Sequence, residues 1–375
     1  MEKKLNSDKV NQAMTIAGLT QTAVAQHLGV TKQAVSQWLS NQDFPRPNKL
    51  LQLGKLLSLT FDELVIKEDP YAPVVAFRKM KGTKTKDHHI EQAQERGYFL
   101  RHLVQYLPFD ILEVPPVLKN PSKDYLYIQK IAKKVRNDIN VNDDDVIVFD
   151  HLISRFSDLQ AVIIPVLWGS KQRHENAVHI FLPDSQTTWV YLNLDVNVHD
   201  FKFWMAHELG HCLSPSLRGD EAEDFADEFA GALLFPENKA KHTYEELLTK
   251  GTKAAKIAHI LKIAENSTIS PYTVYGQINK YAEHANIEPF NLEPQIHGAI
   301  SNFNKKYLNL SAALFGNIDD LKANDYLEKV KIAFKTPFFD VLSRYLKEHK
   351  KGAGIIQSLM DISLLDAQSI YNELN

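Results

Sequence analysis

A single cysteine, Cys212, among 375 residues excludes a disulfide framework and suits a reducing compartment. Apolar runs are short. The longest candidate, Ala161–Trp168, falls well below the ~18–20 residues needed to cross a bilayer. The N-terminus is polar and charged, so neither a membrane span nor a signal peptide is expected, and the chain is read as cytoplasmic with no membrane partner. Internal repeats and low-complexity tracts are missing. An excess of charge of one sign is missing too, and a net of −3 selects no class of partner. A chain this long is expected to form about two to three domains with sizeable cores.

Against that plain background one short run carries chemistry. Ala206-His207-Glu208-Leu209-Gly210-His211 is an HExxH pattern. On a helix it sets two imidazoles one turn apart on one face, a spacing that suits tetrahedral zinc, while the intervening Glu208 can reach a water on that metal and take its proton. Trp189–Leu194 is β-branched and aromatic and predicts a strand, followed by a turn over Asp195–Asp200 and a helix over Phe201–Leu213 that ends near Ser214-Pro215. A catalytic zinc needs a third protein ligand, and Glu223 opens a second helical pattern with Ala226, Phe229, Ala230 and Leu233 at helical spacing. Asp227 lies one turn beyond Glu223 and can hold the second nitrogen of a zinc-bound imidazole, fixing its tautomer. The surrounding acids Asp220, Glu221, Asp224 and Glu228 leave open a reading of this stretch as a solvated face. Cys212 sits about 100° round the helix from His211 and is expected to pack rather than bind metal. His174, His179 and His199 are candidates to line the cleft and polarise a scissile carbonyl, or else ordinary structural histidines.

These residues resemble the ImmA/IrrE family of bacterial metallopeptidases, in which HELGH precedes a helix of the form E-x-x-A-[ND]-x-F-A-x-x-L-L-x-P, here Glu223, Ala226, Asp227, Phe229, Ala230, Leu233, Leu234 and Pro236. The resemblance implies a zincin-like (gluzincin-type) domain with a small sheet, zinc on His207, His211 and Glu223, and Glu208 as catalytic base. It extends over roughly 140–285. Val146–Trp168 and Ala177–Leu182 are similar to the family's leading helix and strands, and Ala255–Tyr281 to the helical segment that follows.

A different class of function is written at the N-terminus. Gln21–Leu39 has helix-turn-helix spacing, with small Ala25 at the helix crossing, Gly29 in the turn, and Val30, Val35 and Trp38 facing the core. The helix Thr31–Leu39 would enter a major groove, and Gln21, Thr31, Lys32, Gln33, Ser36 and Gln37 are the candidate DNA contacts. The segment is similar to the XRE-type domain of phage repressors over about 3–66, with further helices at Arg46–Leu57 and Phe61–Val65. Seven cations against five acids through residue 66 leave a net of only +2. Feeble phosphate attraction follows. Such a domain dimerises, borrows charge from elsewhere, or serves as a protein-contact module. Arg78, Lys79, Lys81, Lys84 and Lys86 are a source of borrowed charge, or simply a solvated linker.

The chain is therefore expected to be α+β and mostly helical. An all-α DNA-binding domain over 1–68 and a basic linker over 69–98 precede a peptidase domain over 99–286 and a helical C-terminal region over 287–375, with helices at Asp320–Phe334, Phe338–Glu348 and Ile355–Leu374. The function expected is a DNA-binding regulator fused to a zinc endopeptidase that cleaves a repressor or other regulatory protein of mobile-element, phage-related or stress-response genes. The alternative is a non-proteolytic transcription factor, or an antitoxin-like or phage-defence component, with a structural or sensing zinc.

Overall fold

The computed structural model describes all residues except 1–2, 68, 70, 79–86, 109–115 and 170–176. The chain divides into two compact units, Met1–Ala72 and Pro73–Asn375. Most described residues are helical, and no helix among them is long and apolar enough to cross a membrane.

The first unit is a five-helix domain, Ser7–Ile16, Gln21–Leu28, Lys32–Leu39, Pro47–Leu57 and Phe61–Leu64. Its helix starts are written locally, because the side chains of Asn6, Thr20 and Thr31 accept from the backbone N–H groups of Lys9, Ala23 and Ala34. Thr60 and Glu63 close a capping box at the last helix. Gly29 ends the second helix at φ 63°, a left-handed turn that glycine adopts without steric cost. Val10, Val24, Ala25, Leu28, Val35 and Trp38 are buried in one core, with Val30 packed at its edge. The expected all-α description needs correction. Strand β1 (Lys3–Leu5) pairs antiparallel with β2 (Val65–Lys67), so the last predicted helix stops at Leu64 and Val65 enters the ladder.

The second unit is built on a four-stranded sheet of β3 (Val74–Arg78), β4 (Ala161–Val166), β5 (Ala177–Leu182) and β6 (Thr187–Asn193), in the order β3-β5-β6-β4. Only the β4–β6 pairing is parallel. Strands β4 and β6 are buried along their whole length, because both faces of the sheet are covered. Adjacent residues of β5 point to opposite faces. His179 meets the helix Val198–Leu213, whereas Ile180 meets Gly97 of the helix Asp87–Val104. The outer edge of β4 is closed by side chains rather than by a strand: the hydroxyls of Tyr326 and Thr336 donate to the carbonyls of Pro165 and Ile163.

Three expectations change here. Residues 69–98 are not simply a linker, since Val74–Arg78 forms an edge strand and Asp87–Val104 a helix with Ala93, Leu100 and Leu103 buried. The basic positions Lys79, Lys81, Lys84 and Lys86 lie outside the described residues. The C-terminal helices share one core with the sheet, and Trp168 Nε1 donates to the Met360 carbonyl at 2.8 Å, so 287–375 is continuous with the unit. Finally, Ile355–Leu374 is two helices, Ala353–Met360 and Leu364–Leu374, broken at Asp361, where φ is 54°.

Candidate functional site

Helix Val198–Leu213 begins at Asn197, whose side chain accepts from His199 N–H and whose amide donates to the Asn304 carbonyl. It is buried along most of its length, and it crosses helix Gly219–Leu234 at Gly210. A Cβ at Gly210 would stand 3.0 Å from Ala226 Cα and 3.2 Å from Phe229 Cδ1, so glycine is what lets the two backbones approach. That approach delivers Glu223 and Asp227 to the two imidazoles. Lys202, fully buried, further anchors the helix by donating from Nζ to the Ser267 carbonyl at 2.7 Å, and burial lowers its pKa to about 8.

The ligand-bearing atoms of His207, His211 and Glu223 lie within 4.8 Å of one another. The two Nε2 atoms are 3.0 Å apart, with Glu223 oxygens 3.5 Å from His207 Nε2 and 3.4 Å from His211 Nε2. Asp227 Oδ1 is 2.7 Å from His207 Nδ1. A carboxylate can only accept, so Nδ1 carries a proton. Burial alone would raise the Glu223 pKa, but the neighbouring imidazoles outweigh it and hold this carboxyl well below the usual range. Two imidazole nitrogens and a carboxylate converging on one point form a donor set of the kind divalent zinc takes. The residues fit that ion.

Glu208 is buried beside the cluster with Oε2 3.6 Å from His179 Nδ1. His179 reaches the site from β5, its ring centroid 5.4 Å from that of His211, and burial, with His211 adding to it, pushes its pKa well down. It is a neutral imidazole on the wall of the cluster. Of the other two histidines singled out in the sequence, His199 packs away from the cluster between Phe303 and Tyr307. His174 lies outside the described residues. Cys212 is buried, and burial followed by Glu208 raises its thiol pKa, which leaves it protonated and inert. Asp224 and Glu228 point elsewhere, pairing with Lys123 and Lys280.

In the first unit Thr31, Lys32, Gln33 and Ser36 are exposed, and Gln21 and Gln37 half-buried. Thr31 lies just before its helix as the cap, its hydroxyl oxygen accepting from Ala34 N–H. Sequence reasoning missed Arg136, fully buried and donating to the carbonyls of Leu233, Asn142 and Asp145. In the run Lys133-Lys134-Val135-Arg136 it reads as one more surface cation, and nothing local marks it.

Residues 12–64 match the family model described as helix-turn-helix, and they form that domain. The chain is 35% identical over 63 residues to the HTH-type transcriptional activator BcrR of Enterococcus faecalis, a stretch covering 17% of this chain and 31% of the relative. The chain thus spans about a third of that curated relative's length. No solved structure matches.

Proposed function

We propose that this chain is a DNA-binding regulator in which the helix-turn-helix unit is joined to a zinc-dependent endopeptidase of zincin-like type, and that its substrate is a repressor or another regulatory protein. The observation that carries the enzymatic half is the convergence of His207, His211 and Glu223 with Asp227 bonded to His207 Nδ1. His207, His211 and Glu223 would hold the metal. When bound, zinc supplies Lewis acidity toward water and a carbonyl oxygen. Glu208, one residue past His207 and buried, is the group that takes a proton on a carboxylate oxygen and hands it to the leaving amine nitrogen. His179 flanks Glu208, its Nδ1 3.6 Å from Oε2, and limits the positions this carboxylate can take. Asp227 keeps the His207 ring in one tautomer and one orientation.

His207→Ala is expected to lower bound zinc from about one per chain to near none while far-ultraviolet circular dichroism stays close to the parent's, because a catalytic ion supports little of the core. Elemental analysis finding undiminished zinc would sink the ligand assignment.

For the N-terminal half the support is the helix-turn-helix match and the exposed side chains of Lys32, Gln33 and Ser36. Residues at the start of such a helix read base edges. Gln33→Ala is expected to weaken binding to a specific operator by roughly 1–3 kcal/mol while sparing random duplex. Fluorescence anisotropy against both duplexes measures this. A parent chain that prefers no duplex over random sequence points instead to a protein-contact module.

One observation favours the non-proteolytic reading: the relative is named a transcriptional activator, and the likeness to it covers 17% of this chain. Against it, structural zinc is ordinarily closed by four protein ligands, and the cluster among the described residues supplies three.

A further inference from the structure

The C-terminal helices enclose a cavity that takes no part in the metal cluster. Helix Ala323–Phe334 and the pair Ala353–Met360 and Leu364–Leu374 bound a cavity of about 440 Å³, floored by Leu167 just beyond the end of β4. A volume in this range suits a small organic ligand. Its inner wall is apolar, formed by Leu167, Tyr326, Met360 and Ile370, and the Tyr326 hydroxyl is committed to the Pro165 carbonyl.

The rim has a different character. Asp366 and Glu373 are exposed and seven positions apart on one helix, which puts both carboxylates on the same face. Among the described residues Lys322 is the one cation lining the cavity, so two carboxylates against one ammonium leave the rim net negative. Ser363 donates to Asp366 from its hydroxyl, which fixes the carboxylate in place without neutralising it. An apolar interior under an acidic rim favours a molecule with an apolar body and a cationic head, and it disfavours the same body carrying a carboxylate.

We propose that this cavity is a binding site for a small cationic amphiphile, an aryl- or alkylamine seated apolar end first with its ammonium at the acidic rim that carries Asp366 and Glu373. The proposal stands apart from the peptidase reading and needs neither zinc nor cleavage.

Ligand-observed NMR and thermal-shift titration of the full chain with phenethylamine test it, with phenethyl alcohol and phenylacetate as neutral and anionic probes of nearly the same shape. The expected order is amine, then alcohol, then acid. The Asp366→Asn, Glu373→Gln double variant changes only exposed side chains and so keeps the fold. It should weaken the amine by about threefold to tenfold and leave the alcohol unchanged. No saturable binding of the amine, equal affinity for the three probes, or an amine affinity untouched in the double variant would each overturn the proposal.

Discussion

A chain carrying Glu208→Gln is expected to keep its zinc and its DNA affinity while cleaving its protein substrate about 10²–10⁴-fold more slowly, the usual contribution of a positioned general base. Glutamine preserves size and hydrogen bonding but cannot take a proton. The side chain is buried beside His179 and the metal cluster, so a near-isosteric change disturbs little else. Co-expressing parent and variant with candidate repressors, and following both the cleaved fragment and a reporter promoter, reads the effect directly. A variant that regulates the promoter as well as the parent removes proteolysis from the regulatory mechanism and leaves the non-proteolytic reading in its place.

The largest effect on stability is expected at Arg136. Its guanidinium is fully buried and donates to the Leu233 carbonyl at 2.7 Å, to Asn142 at 2.5 Å and to Asp145 at 2.6 Å. Burial lowers its pKa, although Asp143, Asp145 and Asp144 oppose the shift. Arg136→Ala strands those carbonyls and empties the volume, a combination that costs about 3–5 kcal/mol. Leu233 is in the last turn of the helix that carries Glu223 and Asp227, so metal retention should fall along with stability. Urea denaturation measures the first effect and zinc content after dialysis the second. A midpoint unchanged from the parent's would mean that the carbonyls find other partners.

What could be read from the sequence follows from how local each signal is. The helix-turn-helix is marked by Ala25, Gly29, Val35 and Trp38 within two successive helices, so spacing alone describes it. The candidate metal cluster is similarly compact, because His207, His211 and Glu223 come from two adjacent helices crossing at Gly210. The ladder of β1 and β2 joins three-residue strands from opposite ends of the first unit, too short for any periodicity to show. Val74–Arg78 was hidden by the basic run that follows it, and its place in the sheet depends on β5, far along the chain. In Ile355–Leu374 the apolar spacing continues through the break, although Ser363 caps the second helix by accepting from Asp366 N–H. His179 is equally non-local: a lone histidine in a strand becomes a wall of the cluster only once β5 lies against the HExxH helix.

The hydroxyls of Tyr326 and Thr336 on the outer edge of β4 bear on the molecule's solubility. Ala161–Val166 is an apolar segment without a charge; Pro165 removes one donor from its edge, but the carbonyls of Ile163 and Pro165 would still be open to another chain if uncovered. Each hydroxyl occupies a carbonyl that an incoming strand would need, Tyr326 from the helix Ala323–Phe334 and Thr336 from the connection that follows it. A chain shortened ahead of Tyr326 would keep every residue of the metal cluster and the whole DNA-binding unit, yet would expose a template for self-association. The C-terminal helices therefore act as an aggregation guard for the sheet as well as forming the walls of a cavity.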